Sequence, residues 1–194
     1  MDTLTREEMQ RRLVAVATAD PRVVGLLISG SPSEGRADRW SDVDAELFLR
    51  DADCGAFTAD WIPWAGRLGG LLLAYVGGIG HPWAVYAAAP APLRVDFSFI
   101  PESEIPGVRA WPIAPLSVES IVFYDATGGR LRALVAERVG RSLSPDDPAV
   151  AYGAVCGDFW YYVLRTWGRI ARADQWGARQ DLHSIVLNLL AALL

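Results

Sequence analysis

Residues 26–49 read LLISGSPSEGRADRWSDVDAELFL. A hydrophobic run, Leu26 to Ile28, ends in Ser29-Gly30-Ser31; a polar loop follows, and Asp42-Val43-Asp44 leads into a second hydrophobic run. The pattern predicts a buried strand, a small-residue turn and a second strand that opens with two acids. Side chains alternate faces along a strand, so Asp42 and Asp44 point the same way, with Cα atoms roughly 6.5–7 Å apart. Carboxylates held side by side repel each other unless a cation lies between them, and an oxygen-only ligand set suits Mg²⁺. Glu46 shares their parity but lies deeper along the strand, which makes it a substrate-side or ion-paired acid rather than a ligand.

The loop between the two runs adds a second chemistry. Ser31-Pro32-Ser33-Glu34 has the form of a helix start, with Ser31 as N-cap, Pro32 at the first helical position and Glu34 closing a capping box. Free N–H groups at such a terminus, with the partial positive charge of the helix, suit a phosphate. Gly30 lets the backbone approach it closely, and Arg36 and Ser41 add donors. The Ser31 hydroxyl has a competing use, because a cap is less free to bind phosphate. A phosphate cradle and an acid pair in one short span are what phosphoryl or nucleotidyl transfer requires.

Gly30-Ser31, the inner Gly35 and Ser41-Asp42-Val43-Asp44 together resemble the signature of the nucleotidyltransferase superfamily of the DNA polymerase beta type. Within it the chain looks most like the small antibiotic nucleotidyltransferases, the aminoglycoside and lincosamide adenylyltransferases. The resemblance is strong over residues 23–50, moderate to Asp125 and thin beyond. It implies a nucleotide held by Gly30, Ser31, Gly35, Arg36 and Ser41, with ATP as co-substrate. It also implies a third acid on a strand beside the Asp-Val-Asp strand, and Asp96 is the matching position. An isolated acid in an otherwise apolar strand is costly to bury unless it is paired or metal-bound, which favours the same residue independently. The implied reaction is a two-metal, in-line transfer of AMP to an acceptor hydroxyl, with Mg²⁺ on Asp42, Asp44 and Asp96. Two departures from the family pattern stand out: Pro32 directly after the Gly-Ser pair, and a short helical part.

The rest of the chain reads as an α+β protein with a mixed, nucleotidyltransferase-type sheet flanked by helices. Residues 5–19 have an amphipathic helical pattern with Thr5-x-x-Glu8 as a capping box. Strands are expected at 23–29, 45–50, 71–76, 83–89, 93–100 and 121–124, and helices at 56–68 and 131–139. In the strand at 93–100, Arg94, Asp96 and Ser98 share one face. Two longer helices, 144–171 and 175–194, follow, giving a catalytic domain at 1–141 and a helical, substrate-side domain at 142–194. There, Asp158 beside Val155, Phe159, Tyr162 and Val163 reads as a half-buried acid among aromatics, suited to a cationic amino sugar. Pairing of Asp158 with Arg165 or Arg169 is the competing structural reading. His81 and His183 have no ligand partners at metal spacing and read as structural, and the group Trp61, Trp64, Trp83 and Trp160 reads as core.

Eighteen basic against 23 acidic residues give a net charge of -5, which disfavours a nucleic-acid backbone as partner. Two cysteines, Cys54 and Cys156, lie far apart, and with an N-terminus that lacks a signal-peptide core they point to a cytoplasmic setting. No apolar run is long enough to span a membrane. The sequence stops on Leu189-Leu190-Ala191-Ala192-Leu193-Leu194, read either as a helix docked on the core or, equally, as a cut end or homodimer contact. The leading function is transfer of AMP from ATP to a small antibiotic-like acceptor. Two others compete: a minimal nucleotidyltransferase of a toxin–antitoxin pair that modifies a protein, and a nucleotide-binding protein without turnover.

Overall fold

The computed structural model describes residues 4–30, 33, 35, 41–76, 81–89, 91–111, 113–141 and 148–193. They divide into two compact units, Met1–Leu143 and Ser144–Leu194. The first opens with helix α1 (Arg6–Thr18), whose N-cap Thr5 accepts a hydrogen bond from the Glu8 N–H at 3.2 Å. Met9, Leu13 and Ala17, four apart, form its fully buried stripe. Strands β1 (Val23–Ser29) and β2 (Val43–Leu49) follow, then the short helices α2 (Asp51–Ala59) and α3 (Ile62–Gly66). β3 (Leu71–Val76), β4 (Pro82–Tyr86) and β5 (Leu93–Pro101) complete one side of the sheet, and β6 (Val122–Asp125) and α4 (Arg130–Ala136) close the unit.

The six strands form one mixed sheet in the order β3-β4-β5-β2-β1-β6. β2 and β5 run parallel; the other pairs are antiparallel. Alternation along the strands makes the two faces different. On one face Leu26, Ile28, Val43, Ala45, Leu47, Leu49, Val95 and Phe97 join α1, Phe57 of α2 and Trp64 of α3 in a single core. On the other, Leu27 and Phe48 pack with Ile105 and Val108 of a 3₁₀ helix (Glu102–Ala110) and with Leu131, Leu134 and Val135 of α4. This second core covers the end of β2 at Phe48, while the start of the strand carries acids.

Several expected boundaries move. The helix expected at 56–68 is two, because α2 begins at Asp51, ends at Ala59, and Ile62-Pro63 starts a new one. The 3₁₀ helix was not expected; Pro106 inside it breaks any α-helical pattern. Of the tryptophans read as core, Trp61 and Trp64 are buried, whereas Trp160 is exposed.

The second unit contains α5 (Pro148–Ala171), α6 (Gln175–Asp181), a π-helical turn (Leu182–Val186) and α7 (Leu187–Leu193). Asp174 caps α6 by accepting from the Gly177 N–H at 2.9 Å. Buried Asp181 draws Arg165 and Arg169 of α5 to 3.2 and 3.0 Å, tying α6 to α5. Both cysteines are unpaired thiols. Among the described residues no helix is long and apolar enough to cross a membrane.

Candidate functional site

β1 delivers its chain end at Ser29-Gly30, and Gly30 takes φ 77°, a left-handed conformation that glycine adopts without strain. The Ser33 N–H and hydroxyl both donate to the Gly30 carbonyl, at 3.1 and 2.9 Å. The Ser33 carbonyl in turn accepts from the Leu116 N–H and the Ser120 hydroxyl, each at 3.1 Å. Gly35 also has positive φ, 72°, and a Cβ there would meet Leu116 at 3.0 Å. Ser33 and Gly35 are therefore held against the segment that leads into β6. Ser31, Pro32, Glu34 and Arg36, the expected capping box and part of the phosphate cradle, lie outside the described residues.

The acids come together through the register of the sheet. Asp44 is the Cα partner of Asp96 across the parallel pair β2–β5, and Ser29 is the partner of Asp44 across β1–β2. Directly paired residues share a face, so Asp44 and Asp96 stand side by side on the face opposite the α1 core. Asp42 sits one residue before β2 and reaches the same place through a cation: the Arg94 guanidinium ion-pairs with Asp42 and, at 3.2 Å, with Asp96. Trp83 of β4 is the next Cα partner of Asp96. His81, expected to be structural, has Nε2 3.8 Å from Asp96 Oδ1. Ser41 borders Asp42 and Arg94 along a cavity of about 570 Å³, whose other walls are the N-terminus of α1 and the turn between β4 and β5.

Electrostatics mark the cluster as one that needs positive charge. Burial, and then the Asp42 and Asp96 carboxylates, push the Asp44 carboxyl above the usual range. Asp96 Oδ1 is buried without a hydrogen-bond partner, a condition costly for a carboxylate oxygen and relieved by a ligand. In kind, the three carboxylates fit a hard divalent cation. As the side chains stand, no group of three His, Cys, Asp or Glu among the described residues is disposed to hold a metal ion. The Arg94 guanidinium stands between two of the three.

Deeper on the same face lies Glu46, in register with Ser98 of β5. Its Oε1 accepts from the Ser29 hydroxyl at 2.5 Å, while Oε2 is buried and unpartnered. Burial pushes its carboxyl up to about 8, with the nearby Asp44 charge adding to the shift. Glu46, Ser29 and Ser98 floor a cavity of about 220 Å³ walled by Ile100, Trp111 and Ile113. Within this face Arg94 and Glu46 are thus neighbours of the acids in opposite directions.

Asp158 and Tyr162 lie on α5, in the second unit. Asp158 is exposed rather than half-buried, and Arg165 and Arg169, its expected partners, bind Asp181 instead. The Arg165 guanidinium also lies 5.5 Å from the centre of the Tyr162 ring. Expectation from sequence missed His81, Ser29 and Trp111. The parity of Arg94 with Asp96 was the one available signal for its role, while His81 and Trp111 precede or follow elements at spacings that carry none.

No protein-family model matches this chain, and no curated protein matches it.

Proposed function

We propose that the first unit is a nucleotidyltransferase catalytic domain that moves AMP from ATP to a hydroxyl of a small acceptor. An antibiotic of the aminoglycoside or lincosamide kind is the acceptor that the sequence resemblance suggests. The observation that carries this reading is the pairing of Asp44 with Asp96 on adjacent parallel strands, with Asp42 joined to them and a glycine turn at the end of the neighbouring strand. Asp42, Asp44 and Asp96 would hold Mg²⁺, which when bound offsets the charge on the triphosphate and on the attacking oxygen.

The residues divide the remaining work. Gly30, Gly35 and Ser41, with Ser31 and Arg36 of the same loop, receive the phosphates through backbone, hydroxyl and guanidinium donors. The acceptor enters by the Glu46–Ser98–Trp111 cavity, which offers a polar floor and an aromatic wall, the usual make-up of a small-molecule pocket. The acceptor oxygen forms a bond to the α-phosphorus, its proton passes to the Asp96 carboxylate, and the bond from the α-phosphorus to the bridging oxygen breaks. Pyrophosphate leaves.

Incubation with ATP labelled at the α-phosphate, Mg²⁺ and pooled aminoglycosides and lincosamides tests the proposal. Labelled drug with release of pyrophosphate is the expected result. Label on a protein would favour the protein-modifying alternative, and bound but unchanged ATP the inactive one.

A further inference from the structure

The cation at the acid cluster is supplied by the chain itself. Arg94 enters β5 two residues before Asp96 and so stands on the same face, and its Nη2 serves Asp42 Oδ2 and Asp96 Oδ2 together. Its side chain is half-exposed, whereas that of Asp96 is 12% exposed. One guanidinium therefore links two of the three carboxylates.

A divalent cation needs the same oxygens. Hard cations bind carboxylate lone pairs directly, and a guanidinium donating into those lone pairs blocks that approach and repels the incoming charge. The two modes of neutralisation exclude one another at Asp42 Oδ2 and Asp96 Oδ2. Displacement of Arg94 is sterically easy, since it is long and half-exposed and borders the open cavity that also touches Ser41 and Asp42. A planar fork freed from carboxylates is well suited to bind phosphate oxygens in pairs.

We propose that Arg94 is a built-in counter-ion that closes the carboxylate cluster in the absence of a divalent cation and, once displaced, binds the polyphosphate of the incoming nucleotide. The proposal rests on the nucleotidyltransferase reading of the same site and adds to it a residue that couples cation binding to nucleotide binding. Arg94 is thereby a positioning residue in the resting protein and a substrate contact in the loaded one.

The test uses the full chain with Mn²⁺ as the probe, followed by electron paramagnetic resonance without nucleotide, and ATP binding followed by calorimetry in the presence of Mg²⁺. Removing one nearby positive charge in Arg94→Gln should tighten Mn²⁺ binding roughly tenfold. The same substitution should weaken ATP binding roughly tenfold, since a charge-assisted fork is lost. Mn²⁺ affinity that is unchanged or weaker in Arg94→Gln overturns the counter-ion role, and unchanged ATP affinity overturns the phosphate contact. Should Arg94→Gln fail to fold, Arg94→Met removes the same charge and keeps an apolar stem; it should shift both affinities in the same directions, and no shift in either overturns the proposal. If neither the unaltered protein nor the variant takes up Mn²⁺, the metal reading fails along with it. If both bind Mn²⁺ equally well, that reading stands and only the inference about Arg94 falls.

Discussion

The two faces of β2 are built from one stretch of chain and do opposite things. Val43, Ala45, Leu47 and Leu49 are buried in the larger core against α1, while the alternate residues Asp44 and Glu46 bring carboxylates to the other side, where only Phe48 joins an apolar cluster. The apolar face holds the sheet together, and the acidic face carries a standing electrostatic cost that only a cation or a proton relieves. A strand with a period of two allows this division because neither set of side chains touches the other. What the contrast teaches is that substitutions on the two faces should separate activity from stability.

The largest effect expected is on the acidic face. Asp44→Asn or Asp42→Asn should lower AMP transfer by roughly a thousandfold or more, in line with the several kcal/mol that charge stabilisation supplies in such sites. In Asp44→Asn the melting temperature should stay the same or rise, because a repelling charge that has no ion-pair partner of its own among the described residues is removed. Near-normal turnover in either variant would break the comparison at its acidic end.

On the apolar face, Leu47→Ala should cost about 3 kcal/mol of unfolding free energy, the usual range for a fully buried leucine. Denaturant titration reads the loss, and transfer per folded molecule should change little. A variant that kept its stability but lost activity would contradict the division of labour.

Glu46 sharpens the contrast by pH. Its carboxyl is held at about 8 in the folded protein against an ordinary 4.5, so the folded chain keeps a proton that the unfolded chain gives up. The stability this contributes is complete below pH 4.5 and disappears as pH rises through about 8. Between those limits unfolding free energy should fall by about 2–4 kcal/mol, and Glu46→Gln should flatten the slope. Urea titrations across that range, without divalent cations, measure it; an unchanged slope in Glu46→Gln would contradict the assignment.

The smallest effects concern the frame around the site. Gly35→Ala forces a side chain into positive φ and against Leu116 at 3.0 Å, and should cost about 1 kcal/mol. Thr5→Ala removes the cap of α1 and should cost about the same. Melting curves distinguish both from the deeper loss at Leu47.

Much of this architecture was legible because it is local. The continuous apolar run of β1 and the capping box of α1 are signals contained within a few residues, and both elements formed where the pattern puts them. The two acids of β2 were legible for the same reason, since parity follows from spacing alone. That Asp96 stands beside the acids of β2 was expected from the family resemblance and not from any local pattern, because the strand order β4-β5-β2 is set by long-range pairing. His81 meets Asp96 only through the turn before β4. Trp111 comes beside Glu46 only because a 3₁₀ helix, with Pro106 inside it, carries the chain back over the sheet. Asp158 was misjudged because its neighbours in sequence are apolar, while the arginines near it on α5 are drawn to Asp181 of the next helix.

Uptake of Mn²⁺ by the unaltered chain and by Asp44→Asn, Asp96→Asn and Leu47→Ala tests the central assignment most directly, because it asks whether acids from two strands serve one cation. Binding that weakens at least tenfold in both aspartate variants and persists in Leu47→Ala is the predicted result. Binding that is absent from the unaltered chain, or indifferent to Asp44 and Asp96, would contradict it.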